Sequence, residues 1–199
     1  LAVETLAEDG ATILPRRGLP DDAFRHDGKM TKRDARALAV TKLDPRRRQL
    51  LWDVGCGCGS IAIEWMRADR DMAAIGFDPN AERRAMAAEN AMLLGAPRLE
   101  LVDGTAPNAL KDSTLPRPDA VFIGGGVSLE TIEFCLGALK PFGRLVAHAV
   151  TLESEAVLMA AHARHGGELV RLALSRAEAV GPYRGWRPSM PVTQWSLAT

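Results

Sequence analysis

The sequence predicts an α/β domain built on a mostly parallel sheet. Segments with strand and helix patterns alternate after about residue 30, which is typical of parallel strands joined by helices. Residues 51–60 read as a hydrophobic strand that ends in an acid and enters a loop with glycine at every second position. The next two strand patterns also end in an acid. Because α/β proteins bind ligands at the carboxyl edge of the sheet, these features predict a binding site there.

Seven strand patterns and five helix patterns make up this fold. Residues 31–34, Thr-Lys-Arg-Asp, match a capping box with Thr31 as the N-cap of the first helix. The later helices follow from apolar residues at helical spacing, and they end near glycine or proline. The predicted strands cover 51–53, 73–77, 99–102, 119–123, 144–149, 168–174 and 192–197, and the predicted helices cover 31–43, 61–66, 81–94, 129–139 and 152–165.

The loop after the first strand predicts a cofactor site. Glycine is needed where φ is positive and where a Cβ would keep the backbone from a ligand, although a sharp turn without a ligand is the alternative. The spacing D-x-G-x-G-x-G differs from the G-x-G-x-x-G of dinucleotide sites. It resembles motif I of the class I methyltransferases, whose cofactor is S-adenosylmethionine. The sulfonium cation of this cofactor is stabilised by nearby carboxylates. The predicted cofactor-binding residues here are Asp53, Gly55, Cys56, Gly57, Cys58 and Gly59.

Asp78 and Asp103 end the next two strands. A carboxylate at Asp78 can accept both ribose hydroxyls of a nucleoside, and a group between Asp103 and Ala106 can reach the adenine edge. The alternatives are an N-cap at Asp78, followed by Pro79 at the first helical position, and an ordinary turn at Asp103. Because three successive strands end in an acid, we expect Asp78, Asp103 and Ala106 to bind the cofactor.

Composition argues against several classes of protein. The 199 residues suffice for one domain with a sizeable core, and 25 Lys and Arg balance 25 Asp and Glu, so no global field favours nucleic acid or an anionic membrane. No apolar run suits a bilayer span or a signal peptide, so we expect a soluble, cytoplasmic protein. Cys56, Cys58 and Cys135 then fit free thiols. The Cys-x-Cys spacing is too short for a zinc knuckle, and no metal site is predicted.

Two segments have no regular pattern. Residues 1–20 begin without methionine, contain two prolines and lack periodicity, so we expect a linker or tail from an upstream domain, with the folded domain at 21–199. The loop at 181–188 holds two arginines and two aromatic residues, which suit a wall against a flat ligand that carries carboxylates. A surface hairpin whose aromatic residues pack on the sheet is the alternative. The predicted wall is Tyr183, Arg184, Trp186 and Arg187.

Several segments together resemble the CbiT family of cobalamin biosynthesis. They are 18–24 (Gly-Leu-Pro-Asp-Asp-Ala-Phe), 29–32 (Lys-Met-Thr-Lys), 53–59, 78–80 (Asp-Pro-Asn), 104–107 (Gly-Thr-Ala-Pro), 124–126 (Gly-Gly-Gly) and 149–154 (Ala-Val-Thr-Leu-Glu-Ser). The likeness covers residue 18 to the C-terminus. One departure is Phe142, where the family usually has glycine, and we expect it to affect only a turn.

This resemblance implies a class I methyltransferase domain whose seven-stranded sheet has an antiparallel last strand. The implied activity uses S-adenosylmethionine, yields S-adenosylhomocysteine, methylates C15 of a precorrin and decarboxylates its C12 acetate. An upstream domain would methylate C5, and the family assembles as homotetramers. The family pattern places the cofactor on Thr31, the glycine loop, Asp78 and Ala106.

The implied substrate site lies at the later strand ends. Gly124, Gly125 and Gly126 would leave room for a broad, planar substrate, although a helix-entry turn is the alternative. Thr151 belongs to the same expected site. Decarboxylation needs an electron sink in the macrocycle and can be aided by an acid, for which His148 and Glu153 are the candidates. Their structural alternatives are a satisfied core histidine and an acid in the first turn of a helix.

Three other functions are compatible with a glycine-rich loop of this kind. A nucleic-acid methyltransferase shares motif I, but the sequence has neither an Asn/Asp-Pro-Pro-Tyr/Phe motif nor a Pro-Cys nucleophile. A nicotinamide-dependent reductase would bind NAD(P) in the loop. A non-catalytic module would bind the cofactor and leave tetrapyrroles untouched.

Overall fold

The computed structural model describes residues 4, 6, 9–11, 13–112 and 114–199. Its α-helices are α1 (Arg33–Leu43), α2 (Ser60–Met66), α3 (Ala81–Leu93), α4 (Leu129–Ala138) and α5 (Leu152–His165). Its strands are β1 (Leu50–Val54), β2 (Ala73–Phe77), β3 (Glu100–Val102), β4 (Ala120–Ile123), β5 (Arg144–Ala149), β6 (Glu168–Leu172), β7 (Ser175–Val180), β8 (Tyr183–Pro188) and β9 (Val192–Ala198).

Seven of the strands form one sheet, in the order β3-β2-β1-β4-β5-β9-β6. The pairs β3-β2, β2-β1, β1-β4 and β4-β5 are parallel, and β9 runs antiparallel to both β5 and β6. This arrangement confirms the predicted sheet, including its antiparallel last strand. The carboxyl ends of β1 to β6 therefore meet at one edge, where the predicted site residues also lie.

Helices cover both faces of the sheet. Leu51, Ala74 and Phe122 point to one face and pack with α1, α2 and the end of α3. Alternate strand residues, such as Trp52 and Val121, point to the other face and pack with α4 and α5. The strict alternation follows from the two-residue period of a strand. Both faces are thus removed from water, which is why the strands read as nearly continuous hydrophobic runs.

The loop predicted between the last two strands is a surface β-hairpin, as the structural alternative for it proposed. Strands β7 and β8 form a separate two-stranded antiparallel sheet that turns at 181–182. Every residue of β7 is exposed, and so are most of β8. Tyr183 and Trp186 are 78% and 77% exposed, so they do not pack on the main sheet. The polar, glycine-rich and proline-rich composition suggested irregular structure, and cross-strand pairing outweighed it.

Two boundaries differ from the sequence analysis. Helix α1 has Lys32 rather than Thr31 at its N-cap, and no side chain caps it. The packed chain also begins before residue 21, since Leu19 is fully buried in the core with α1 and α2. The amides of Gly18 and Leu19 both donate to the Glu64 carboxylate, at 3.0 and 2.6 Å. Residues 18–20, assigned to the linker from sequence, are therefore part of the domain.

Candidate functional site

A large pocket lies at the carboxyl edge of the main sheet. Its volume is about 970 Å³, and its lining comes from both halves of the sheet. On one side lie the loops after β1, β2 and β3, and on the other lie the loops after β4 and β5, the end of β6 and the start of β9. A third wall comes from residues 28–32, which precede α1. The predicted cofactor and substrate regions thus open into one cavity.

The glycine loop after β1 is closed by backbone hydrogen bonds. The amides of Gly55 and Cys56 donate to the carbonyl of Phe77, at 2.8 and 3.1 Å. Gly55 has φ +70°, and a Cβ built on it would lie 2.6 Å from Cα of Gly125 in the loop after β4. A side chain at this position would therefore force the two loops apart. Both the positive φ and the close approach explain the glycine.

Asp53, the last polar residue of β1, is buried beside this loop. Its Oδ2 accepts a hydrogen bond from the amide of Ala62 at 3.0 Å, which ties β1 to α2. Its Oδ1 is buried with no hydrogen-bond partner among the residues that the structure describes. The side chain lines a small cavity next to the main pocket. Burial, helped by the nearby Asp78 charge, raises the pKa of Asp53 to about 7.

Asp78 joins the first two loops of the site. Its Oδ2 accepts from the amide of Gly57 at 3.0 Å, and its Oδ1 accepts from the amide of Asn80 at 2.9 Å. The N-cap of α3 is Asn80, whose side chain accepts from the amide of Arg83, so the N-cap alternative for Asp78 is wrong. Asp78 lines the main pocket, and two of its lone-pair sites are used by these bonds.

The two cysteines of the loop are buried. Cys56 and Cys58 line the small cavity with Asp53. Burial raises the pKa of both thiols, most strongly at Cys56, where Asp53 adds to the effect. Both are therefore protonated and unreactive at neutral pH. Across the described part of the chain, no cluster of three His, Cys, Asp or Glu could hold a metal ion.

Of three other predicted cofactor residues, one lines the pocket and two do not. Ala106 lines the pocket, together with its neighbours Gly104 and Thr105. Asp103 does not line it, because its side chain is 71% exposed and accepts from Arg84 at 2.8 Å. Gly59 is the N-cap of α2 in a left-handed conformation and lines neither cavity. The position of Gly59 therefore matches the alternative given for the loop, in which glycine serves a sharp turn and does not contact a ligand.

Thr31 lies in the segment before α1, for which the sequence predicted no regular structure before residue 31. We name residues 18–32 the strap. Arg36 of α1 is fully buried and donates to the carbonyl of Thr31 at 2.8 Å and to Oδ1 of Asp21 at 3.2 Å. Its Nε lies 3.4 Å from Oε1 of Glu64. Thr31 lines both cavities, so this buried network holds one wall of the site.

The far side of the pocket contains the glycines after β4 and one histidine. Gly124, Gly125 and Gly126 all line it, as predicted for the substrate side. His148 of β5 also lines it, packs edge-on against Phe122 and lies 2.9 Å through Nε2 from Oε1 of Gln194. Burial lowers the pKa of His148, although the Gln194 contact opposes the shift. The ring is therefore neutral at pH 7, which suits a hydrogen-bonding group better than a proton-donating imidazolium.

Several residues predicted to bind the substrate or to act as its acid do not line the pocket of their own chain. Thr151 is the N-cap of α5 and accepts from the amide of Ser154, and Glu153 is exposed in the first turn of that helix. The position of Glu153 matches its structural alternative, an acid in the first turn of a helix. The hairpin residues also lie away from the pocket, because only the base of the hairpin reaches it. These residues are Tyr183, Arg184, Trp186 and Arg187, all exposed.

The structure adds pocket residues that sequence analysis missed. Leu172 and Leu174 follow the end of β6 at a two-residue spacing, and a strand pattern could have placed them on one face. Others come from the base of the hairpin and from the strap, where no periodic signal indicated a site. From these two segments they are Asp21, Lys29, Met30, Lys32, Arg176, Ser189 and Met190, and Val150 and Val192 are added from the end of β5 and the start of β9.

No helix in the described ranges is long and apolar enough to cross a bilayer.

A family model and individual relatives of known name point to the same protein family. The model of the precorrin methyltransferase domain matches residues 22–199. The precorrin-6Y C(5,15)-methyltransferase (decarboxylating) of a Sinorhizobium species is 52% identical over 197 residues, which are 98% of this chain and 47% of that relative. This chain therefore spans about half the length of that relative.

Two further comparisons match nearly whole chains. The probable cobalt-precorrin-6B C(15)-methyltransferase (decarboxylating) of Pyrobaculum calidifontis is 36% identical, over 83% of this chain and 88% of that protein. The crystal structure of the C-terminal domain of precorrin-6Y C5,15-methyltransferase from Rhodobacter capsulatus has a TM-score of 0.86 and 46% identity, covering 94% of this chain and 100% of that one.

More distant solved methyltransferases, at 15% and 17% identity, share the fold alone, with TM-scores of 0.65 and 0.63. The sheet order and the glycine loop are those of the class I methyltransferase fold. With the family model covering nearly all of the folded chain and the close relatives agreeing with it, the chain belongs to the family of precorrin methyltransferase domains.

Proposed function

We propose that this domain uses S-adenosylmethionine to methylate C15 of a precorrin and decarboxylates the C12 acetate, in cobalamin biosynthesis. The observation that carries the proposal is the match to a relative whose printed name specifies C(15) alone and which is covered over 88% of its length. Relatives named for both C5 and C15 are about twice as long as this chain, since 47% of the first is covered. A domain of this size therefore corresponds to the C15 activity.

The pocket fits the proposed cofactor. Asp53 offers a buried carboxylate oxygen that has no partner among the described residues, and Asp78 lies at the glycine loop with two lone-pair sites not used by the bonds given above. These groups suit a cationic amino-acid head and ribose hydroxyls, and they do not suit a pyrophosphate, which carboxylates would repel. Bound S-adenosylmethionine supplies an electrophilic methyl group. We propose that Asp53, Gly55, Gly57, Asp78 and Ala106 hold it, with Thr31 closing the site from the strap.

The chain's own contribution to the reaction is orientation and exclusion of water. The carbon that accepts the methyl group belongs to an electron-rich macrocycle, so no protein nucleophile is needed, and proximity supplies much of the acceleration. In the decarboxylation, the bond between the acetate methylene and the carboxyl carbon breaks, carbon dioxide leaves, and the imines of the macrocycle accept the electron pair. A proton then reaches the methylene carbon. Of the two predicted acids only His148 lines the pocket, and we propose that it contacts the substrate as a neutral ring.

The test incubates this domain with S-adenosylmethionine and precorrin-6Y, with and without a methyl group at C5, and follows the product by mass spectrometry. We expect one added methyl group and one lost carbon dioxide. A cofactor-binding module would bind S-adenosylhomocysteine and leave the tetrapyrrole unchanged. A reductase would instead be stabilised against heat by NAD(P) and not by S-adenosylhomocysteine. Either result would overturn the proposal.

The assembly and the cellular setting are also proposals. We propose a homotetramer, supported by the exposed apolar side chains of the hairpin, Val180, Tyr183 and Trp186. An upstream C5-methyltransferase domain is supported by the length of the relatives that are named for both activities. A cytoplasmic location is supported by three free, buried cysteines. A precorrin is the proposed partner, with no role for nucleic acid or a membrane.

A further inference from the structure

The two halves of the sheet line chemically different parts of the pocket. The loops after β1, β2 and β3 provide the glycine loop, Asp78 and Ala106. The other half is formed at the ends of β5, β6 and β9 and at the base of the hairpin, and most of its side chains are apolar. They are Val150, Leu172, Leu174, Met190 and Val192. A flat, apolar ligand face would fit against this second half.

Cations border the pocket in excess of anions. Its lining includes Lys29, Lys32, Arg83 and Arg176, against the two acids Asp21 and Asp78. Both acids are already hydrogen-bonded within the protein, Asp21 to Arg36 and Asp78 to the glycine loop. Arg83 is held by Asp27 through two bonds of 2.9 and 2.8 Å. With Arg83 paired to Asp27 and Arg176 to Asp34, Lys29 and Lys32 are the lining cations without an ion pair among the described residues. They outnumber the Asp78 carboxylate, whose bonds are to neutral amides, so the lining keeps a net positive charge.

Two of these cations lie beside the apolar half. Lys32 is exposed at the N-cap of α1 and, among the described residues, has no carboxylate oxygen within 4.0 Å. Arg176 of β7 donates to Asp34, only two residues beyond Lys32, so the base of the hairpin meets the start of α1. Its side chain remains 47% exposed. Lys32 and Arg176 thus reach the pocket from two separate elements at one corner.

We propose that Lys32 and Arg176 form a basic rim that binds peripheral carboxylates of the substrate while its ring system lies on the apolar half. This inference rests on the proposed function, because it takes the substrate to be a tetrapyrrole edged with acetate and propionate groups. Guanidinium and ammonium groups form charge-assisted hydrogen bonds with such carboxylates. The rim replaces the hairpin tip, which sequence analysis assigned to this role, as the source of positive charge at the pocket.

The test measures equilibrium binding of precorrin-6Y in the presence of S-adenosylhomocysteine, where no methyl transfer occurs, at several salt concentrations. We expect Lys32→Gln and Arg176→Gln each to weaken binding about threefold, and the double variant about tenfold, because each exposed charge pair contributes modestly. Arg176→Lys should retain most of the affinity. The parent's affinity should fall with salt more steeply than that of the double variant.

Matched controls are Lys42→Gln and Arg171→Gln. Both residues are exposed and paired with carboxylates, Lys42 with Glu168 and Arg171 with Glu155, and neither lines the pocket. They should leave the affinity for precorrin-6Y unchanged. The affinity for S-adenosylhomocysteine should be the same in every variant, which separates loss of the rim from loss of the fold.

Different results overturn different claims. If the parent methylates precorrin-6Y and the double variant binds it as tightly as the parent, with the same salt dependence, the basic rim is wrong and the proposed function stands. A double variant that loses S-adenosylhomocysteine as well would make the two residues structural, which also overturns the rim. If the parent neither binds nor methylates precorrin-6Y, the proposed function fails and the rim fails with it.

Discussion

Asp53 is the residue whose charge depends most on its surroundings. An aspartate at the end of a strand is ordinarily ionised at neutral pH, but burial raises its pKa to about 7 here. One of its oxygens has no partner in the part of the chain that the structure describes. A bound cation next to this carboxylate would favour its ionised form. Binding of the cofactor should therefore be linked to the loss of a proton.

This linkage predicts a pH dependence of cofactor affinity. Below pH 7 the free protein holds a proton on Asp53 that the ammonium group of the ligand must displace, so the affinity for S-adenosylhomocysteine should rise as pH increases to about 7, by at most tenfold per unit, and then level off. Calorimetry between pH 5.5 and 8 measures it. In Asp53→Asn the profile should be flat and the affinity lower. A parent protein whose affinity does not change over this range would contradict the assignment of Asp53.

Gly55 tests the steric reason for the glycine loop. Gly55→Ala places a Cβ 2.6 Å from Gly125 at a φ of +70°. We expect a loss of unfolding free energy of about 1–3 kcal/mol and weaker cofactor binding, since the loop cannot keep both its conformation and its contact. Gly137→Ala is the control, because this helical glycine has nothing within 4 Å of the added carbon. That change should stabilise α4 by about 0.5–1 kcal/mol. Urea denaturation compares the two variants.

At Phe142, unlike at Gly55, a residue with a side chain occupies a conformation that glycine prefers. It is 81% exposed and has φ +62°, so the turn before β5 holds a bulky residue in the conformation that glycine prefers. Phe142→Gly should raise the unfolding free energy by about 1 kcal/mol, because the left-handed conformation strains a residue with a Cβ. Thermal denaturation measures the shift, and the cofactor affinity should not change. A destabilised variant would mean that the Phe142 side chain makes a contact that outweighs this strain.

Among the elements, the strap is held in part by a buried network of charged side chains. Arg36 and Glu64 are both buried, and between them they bind the backbone of Gly18, Leu19 and Thr31. The strap also contributes Phe24, over whose ring the Arg36 guanidinium lies at 4.7 Å. This one ion pair therefore connects α1, α2 and a wall of the pocket.

Removing one partner of this network should be costly. We expect Arg36→Met to lower the unfolding free energy by about 3–5 kcal/mol, because it leaves the Glu64 charge buried without its partner. The double variant with Glu64→Met should lose less than the sum of the two single variants. Arg47→Met is the control, since Arg47 is 53% exposed and should cost less than about 1 kcal/mol. Additive losses in the urea denaturation cycle would show that the pair is not coupled.

For the molecule as a whole, the tip of the hairpin is the feature that takes no part in the pocket of its own chain. Val180, Tyr183 and Trp186 are 63%, 78% and 77% exposed on a two-stranded sheet of their own. An isolated hairpin is marginally stable in water, so large exposed aromatic residues there favour contact with another chain. This is the surface on which the proposed tetramer depends.

The tetramer can be tested by changing this surface. Tyr183→Ser with Trp186→Ser should convert the assembly to a smaller species, because two large apolar side chains would be lost from each contact. Light scattering after size-exclusion chromatography measures the mass. Exposed apolar residues elsewhere provide the control, and Met92→Ser, on α3 and 68% exposed, should leave the mass unchanged. An unchanged mass in the hairpin variant would remove the hairpin from the interface.

The order of the main strands and helices, and several residues in the cofactor half of the pocket, could be predicted from local sequence patterns. Local patterns were sufficient because each of them spans only a few consecutive residues. These patterns are the strand and helix periods, the alternating glycines and the acid after each strand. Gly55, Gly57, Asp78 and Ala106 lie in the pocket as these signals predicted. The same reasoning expected Asp103 beside the cofactor, but its exposed side chain pairs with Arg84 and does not line the pocket.

Which distant residues share the site depends on contacts that local sequence patterns do not encode. The strap reaches the pocket because Arg36 and Glu64 bind its backbone, and Arg176 reaches it because the hairpin meets the start of α1. Contacts between residues so far apart in the chain leave no periodic trace. The charge of Asp53 and of His148 was equally undetermined by sequence, because both depend on burial by several elements at once.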